Sequence, residues 1–300
     1  MPLARWRRGL GNLARPGTLR EAGRFLRAMA AGHMPVYLDY PVRPASRYGW
    51  GRPPHAGLQA SMAAGRDGYA RWIECFAVYA EGLAAIPEHA ADPAGPCWDN
   101  PYVGGLTAAA LYCFPALFRP RTYLEIGSGW STRFARHAIR DHGLETRIVS
   151  VDPQPRAEID GLCDEVIRQP LEDVDLTLFD RLGDGDILYV DNSHRCFQNA
   201  DVTVLFLDVL PALRPGVLVY FDDIFLPLDY PPAWHGRFYS EQYLLAVLLL
   251  ADRGRRYEIV LPGKFVQQDP DLNQALRAFW QRVGRQDEAA NGLWLRVREP

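Results

Sequence analysis

No run of about 18 apolar residues occurs in the chain, so no segment is predicted to span a bilayer. The first residues are basic but are not followed by the apolar stretch of a secretory signal, and a cytoplasmic protein is expected. Cysteine is scarce. Cys75, Cys97, Cys113, Cys163 and Cys196 are scattered, odd in number and contain no CxxC pair. That argues against a disulfide framework and against a zinc site, and predicts reduced structural thiols. Lysine is almost missing, with Lys264 the single one among 33 basic residues. The net charge of −3 gives no general basic field, so nucleic acid is not an expected partner. No internal repeat is visible. What the chain does have is length and apolar content: 300 residues, 48% hydrophobic, enough for one large α/β core and an accessory segment.

The pattern changes near Pro120. Residues 1–119 alternate helical stretches with Pro/Gly-rich loops and are expected to form a helical or lid segment. Thr18 and Glu21 make a capping box before a helix carrying Leu19, Ala22, Leu26 and Met29 on one face. A loop over 34–54, a long helix over 58–86 ended by Pro87, and a short helix over 106–118 follow. Residues 120–300 then alternate strands and helices. Strands are predicted at 122–126, 147–151, 165–168, 186–190, 216–221, 257–261 and 293–297, and helices at 131–141, 171–182, 201–213, 240–251 and 271–283. This alternation predicts a Rossmann-like, seven-stranded, mainly parallel sheet with helices on both faces, one late strand being a candidate for antiparallel placement at the edge. Such sheets bind ligands beyond the carboxyl ends of their strands.

The first strand ends in Glu125-Ile126-Gly127-Ser128-Gly129-Trp130 and a helix follows. Two glycines let backbone approach a ligand closely, and a helix start favours a negative group. The second strand ends at Asp152, 23 residues beyond Gly129, where a carboxylate can accept from ribose hydroxyls. A dinucleotide fingerprint would need glycine where Thr132 stands.

These residues resemble the class I S-adenosylmethionine (SAM)-dependent methyltransferases. The resemblance implies that Glu125, Gly127, Ser128, Gly129, Asp152 and Asp191 line a SAM pocket, with Glu125 near the methionine amino group, Asp152 at the ribose, and adenine near residues 168–172. Further on, VDNSHRCFQNADV, LRPGVLVYFDDIFLP and YSEQYLL are similar to a subfamily of small O-methyltransferase-like proteins, with Asp222 where that subfamily often has histidine. The likeness spans roughly residues 101–297. It implies methylation of a small hydroxylated acceptor, a sugar or a secondary metabolite. A hydroxylase-like or non-catalytic SAM-binding relative on the same fold is the alternative.

The fourth strand ends at Asp191, with His194 just beyond, and the fifth ends at Asp222 and Asp223. Neighbouring strands lie about 4.8 Å apart, so these side chains can meet at one rim. Two roles are open. In one, Asp191 with Asp222 or Asp223 holds Mg²⁺, as hard oxygen ligands do, and the metal acidifies an acceptor hydroxyl. This resembles the catechol-type O-methyltransferases. In the other, His194 is a metal-free general base oriented by Asp191 or Asp223. Capping of loops and helix starts is the bland alternative. Successive strand residues face opposite ways, so Asp222 and Asp223 share the site only if the strand has ended.

Aromatic residues of 37–50 and 98–102 either form a lid over the acceptor or pack the first helices onto the sheet. The stretch 226–237, with Pro227, Pro231, Pro232 and Trp234, is a candidate acceptor wall. Glu241 either faces the pocket or is a first-turn helix acid. Arg5, Arg7, Arg8, Arg15, Arg20, Arg24 and Arg27 make a basic face, solvated or touching a membrane surface. The oligomeric state is open.

Overall fold

The computed structural model describes residues 42–300, except 91, 156, 287, 288 and 300, together with Gly23, residues 25–30, Val36 and Tyr40. The Thr18/Glu21 capping box, six of the seven amino-terminal arginines and most of residues 34–41 lie outside the described residues. Met1–Pro44 and Ala45–Pro300 are two separate compact units. In the first, Gly23 and residues 25–30 are helical. Among the described residues, no helix is long and apolar enough to cross a membrane.

The second unit is built on seven strands: β1 Thr122–Ile126, β2 Arg147–Val151, β3 Glu165–Ile167, β4 Ile187–Val190, β5 Leu218–Asp222, β6 Tyr257–Pro262 and β7 Gly292–Val297. Their order across the sheet is β3-β2-β1-β4-β5-β7-β6. β1 to β5 pair in parallel, and β7 runs antiparallel to both β5 and β6. The antiparallel strand is thus not at the edge; it sits between β5 and β6. The parallel strands are apolar almost throughout because helices cover both faces, and every residue of β4 and β5 is buried.

Register sets the site. Ile126 pairs with Val151 on one side and Val190 on the other, and Val190 pairs with Phe221. The next residues, Gly127, Asp152, Asp191 and Asp222, therefore end four strands on one line. The chain reverses its winding between β1 and β4, which is where such a sheet opens a crevice.

Around the sheet lie α1 Ala56–Ala63, α2 Arg66–Phe76, α3 Ala80–Ala85, α4 Gly105–Phe118 and α5 Trp130–Asp141. The single helix expected over 58–86 is broken at Ala64–Gly65. A Cβ on Gly65 would lie 2.4 Å from the Tyr69 hydroxyl, so the break lets Tyr69 fold back against bare backbone. The helix expected over 171–182 is two short 3₁₀ turns, Leu171–Asp173 and Leu176–Arg181. Asp175 sits between them, and its carboxylate accepts the Thr177 N–H, so local capping wins over helix continuation. α6 runs as Asp201–Val204, a π-type turn Leu205–Val209 and a last turn Leu210–Ala212; Pro211, with no N–H to give, follows the widened turn. α7 Glu241–Asp252, α8 Gly263–Gln268 and α9 Pro270–Val283 complete the fold. α8 was not expected, because six residues are too few to show periodicity. α4 is buried along Gly105–Pro115 and packs against α5.

Candidate active site

The loop after β1 is held from below. Gly127 has φ +80°, and a Cβ there would come within 1.8 Å of the Asp191 carbonyl. The glycine is thus demanded by the neighbouring strand end, a cause the sequence alone does not separate from ligand contact. A Cβ on Gly129 would meet no protein atom within 4 Å. Thr132, where a dinucleotide fold would have glycine, accepts the Gly129 N–H at 3.0 Å and donates to the Glu125 carboxylate. Its hydroxyl ties the start of α5 to β1. Glu125 is fully buried, and burial pushes its carboxyl up to about 7 against hydrogen bonds from Ser131, Thr132 and Tyr123. It braces the loop from within the core and is not a wall of the cleft above.

That cleft, of about 290 Å³, lies over the ends of β1, β2 and β4. Ile126, Gly127 and Ser128 line it from β1, Asp152 and Gln154 from β2, and Asp191 from β4. Pro170, Leu171 and Glu172 close the side where adenine contacts were expected. Arg168 does not line it; its guanidinium donates to the Asp152 carbonyl at 3.0 Å and pairs with Asp160. Asp152 is pinned by the Ser128 N–H at 2.8 Å and the Gln154 N–H at 2.7 Å. A carboxylate has about four acceptor positions, so two stay open for ligand hydroxyls.

Beyond Asp191 the rim forms around His194. This residue has φ +57° and is buried under the Tyr239 ring, 4.6 Å away. Its Nδ1 meets the Glu241 carboxylate at 2.8 Å. Its Nε2 meets Asp191 at 3.1 Å and faces Asp223 at 3.6 Å. Burial works against the charged ring, but the hydrogen bonds with Asp191 and Glu241 outweigh it and hold the His194 pKa well above the ordinary range. Both ring nitrogens are engaged by carboxylates, Nδ1 by Glu241 and Nε2 by Asp191. Glu241, the first residue of α7, is fully buried and also accepts from the Asn192 side chain at 2.9 Å. It resolves the two readings of this residue: it is a partner in the rim. An acid in a first helical turn looks the same in sequence whether it faces solvent or a histidine.

Asp223, at φ +53°, turns toward His194 and takes the Asn291 side-chain N–H at 3.0 Å. Burial raises its carboxyl, with the charges of His194 and Arg237 pulling the other way. Asp222 faces elsewhere. It accepts the Tyr220 hydroxyl at 2.7 Å, and that hydroxyl also meets Thr107 at 2.7 Å. Burial first, then repulsion from Asp191 and Asp223, pushes Asp222 well above the carboxylate range. β5 ends at Asp222, and the left-handed turn at Asp223 separates the two side chains. Among the described residues no group of three or more His, Cys, Asp or Glu is arranged to hold a metal ion. The magnesium role of Asp191, Asp222 and Asp223 finds no support in this arrangement, since Asp191 and Asp223 converge on one imidazole N–H and Asp222 is tied to Tyr220.

An aromatic cluster adjoins the rim. Tyr230 lies between Trp234, Phe225, Tyr239 and Tyr243. The Trp50 indole packs on Phe225 and donates to the Asp229 carbonyl at 2.9 Å. Trp98 behaves differently: it is buried against Phe134 and Trp280, and Asn100 folds its own turn around the Tyr102 and Val103 amides.

A family model described as a methyltransferase domain matches residues 124–224, from the cofactor loop to just past β5. No curated protein sequence matches the chain. Several solved structures are distantly similar. The cofactor-bound Rv0187 from MTB is 16% identical, with 80% of this chain and 91% of that chain covered and a TM-score of 0.34. The O-methyltransferase from Bacillus cereus in complex with SAH is 15% identical, with 82% and 92% covered and a TM-score of 0.33. The family match falls within the segment whose motifs resemble the class I methyltransferases.

Proposed function

We propose that this chain is a SAM-dependent O-methyltransferase acting on a small hydroxylated acceptor without a metal ion. The observation that carries the reading is the place of Asp191, which both lines the cleft over β1, β2 and β4 and meets His194 Nε2 at 3.1 Å, the nitrogen that Asp223 faces at 3.6 Å. One side chain thus joins a cofactor-sized cleft to a set of acid–base groups.

The residues present fit the cofactor. Gly129 leaves open space at the start of α5, whose amide end favours a carboxylate, and Asp152 keeps acceptor positions for ribose hydroxyls. When bound, SAM supplies an electrophilic methyl group. The protein's own part is to orient the acceptor oxygen and take its proton. Asp223 suits the second task, because a carboxyl raised by burial is a better proton acceptor than an exposed one. His194 positions Asp191 and Asp223 through its Nε2–H, and Glu241 fixes the ring from behind. The cluster of Tyr230, Trp234 and Tyr239 walls the acceptor side and excludes water.

The test is incubation with methyl-labelled SAM and a panel of hydroxylated acceptors, followed by mass spectrometry. Label on an acceptor oxygen supports the reading. A product that has gained an oxygen atom and no label supports the hydroxylase-like alternative instead.

A further inference from the structure

Several arginines among the described residues pair with acids: Arg66 with Asp269, Arg136 with Asp164, Arg181 with Glu165 and Arg298 with Glu258. Among the same residues, Arg195 and Arg237 pair with none. The two are instead built against each other at the rim. Arg195 donates from Nε to the Arg237 carbonyl at 3.0 Å and from Nη1 to the Ser193 carbonyl at 3.2 Å. Its guanidinium carbon stands 5.0 Å from the centre of the Tyr239 ring. That of Arg237 stands 3.8 Å from the Trp234 ring and 5.5 Å from the Tyr239 ring. Tyr239 is the ring that lies on His194.

The nearby carboxylates are already engaged. Asp201 takes the Ser193 N–H and hydroxyl, and Asp229 takes the Arg47 and Tyr48 N–H groups. Asp223 is shared between Asn291 and His194, though the charge of Arg237 still reaches it. Nη1 of Arg237 reaches the Tyr239 hydroxyl at 3.5 Å, which leaves Nη2 of Arg195 and Nε and Nη2 of Arg237 to donate to a ligand, and guanidinium N–H groups match the oxygens of a carboxylate or phosphate. Stacking and the two carbonyl contacts also fix the side chains in advance, so less freedom is lost on binding.

We propose that the acceptor carries an oxyanion group, a carboxylate or phosphate, which Arg195 and Arg237 bind where they flank Tyr239. The anion anchors one end of the acceptor while its hydroxyl reaches Asp223. This inference rests on the acceptor site placed at the rim under Proposed function, and it adds the chemical class of the substrate.

The experiment titrates the full chain, with and without saturating SAH, against two matched pairs of ligands: benzoate against benzamide, and phenyl phosphate against phenol. Calorimetry and Trp234-sensitive fluorescence are the readouts. At least one charged ligand is expected to bind about tenfold or more tightly than its neutral partner, as charge-assisted hydrogen bonds provide. The R195Q/R237Q variant is expected to lose that preference, and R237K to keep part of it. The carboxylate and phosphate arms show which oxyanion is favoured. Equal binding within both pairs, no binding of any of the four, or a preference that survives in R195Q/R237Q overturns the proposal. Failure of SAH to bind would count against the cofactor reading instead, because the ligand preference is read in its absence as well.

Discussion

Nδ1 of His194 lies 2.8 Å from a Glu241 carboxylate that no solvent reaches. A buried charge that loses its partner is costly. Glu241→Gln and His194→Gln are each expected to lower unfolding free energy by about 3–5 kcal/mol near neutral pH, measured by denaturant unfolding. Replacing both together should cost less than the sum of the two, because neither leaves the other unpaired. Additive losses would mean that the two side chains are not coupled.

The same pair sets a pH dependence. A histidine whose pKa rises on folding stabilises the protein fully below its unfolded value near 6.5. That contribution is lost as pH climbs through the raised folded value. The stability gap between the wild-type chain and the His194→Gln/Glu241→Gln variant should therefore be widest in mild acid and close as pH rises past the ordinary histidine range. A gap that widens with rising pH contradicts a His194 pKa raised by its carboxylate partners.

Gly127 and Gly129 separate packing from ligand contact. Gly127→Ala puts a Cβ against the Asp191 carbonyl at positive φ and should strongly destabilise the fold. Gly129→Ala meets no protein atom and should leave the melting temperature nearly unchanged while weakening SAM binding about tenfold or more. Equal melting temperatures for the two variants would remove the structural cause given for Gly127.

The contrast between those glycines also marks what the sequence made legible. All seven strands and the cluster at their carboxyl ends follow from apolar runs and from alternation with helices, since both depend on local pattern. The place of β7 between β5 and β6 does not, because sheet order is settled by long-range pairing. Alternation applies to Asp222 and Asp223 only while the strand continues; which of them faces His194 depends on the end of β5 at Asp222, on the left-handed turn at Asp223 and on Tyr220 from the same strand. The role of Glu241 was hidden for a different reason: its partner is 47 residues away. The extra helix α8 and the two 3₁₀ turns after β3 are too short to carry a period.

Glu125 gives a second pH effect of the opposite cause. Its carboxyl rises from 4.5 to about 7 on burial, so ionising it in the folded state is unfavourable. At about 1.4 kcal/mol for each tenfold, the cost is on the order of 3 kcal/mol once pH exceeds about 7. Wild-type stability should fall between about pH 4.5 and 7 relative to Glu125→Gln, followed by thermal unfolding across that range. Parallel curves for the two proteins would show that Glu125 does not titrate there.

Metal dependence has a direct check. Exhaustive chelation is expected to leave methyl transfer unchanged, and Asp222→Asn to reduce it less than about tenfold, since the amide oxygen can still accept the Tyr220 hydroxyl. Asp223→Asn should reduce the rate about a hundredfold or more, as loss of a general base does. Activity abolished by chelation and restored by magnesium would return Asp191, Asp222 and Asp223 to a metal-binding role.

The central claim is that the cleft bounded by Gly127, Asp152 and Asp191 binds SAM. Calorimetric titration of the full chain with SAM tests it most directly, with Asp152→Ala as the companion protein. The account predicts one-to-one binding by the wild-type chain and a loss of about tenfold or more in Asp152→Ala, which keeps its fold. No heat of binding at about 1 mM SAM, well above ordinary substrate affinities, would contradict it.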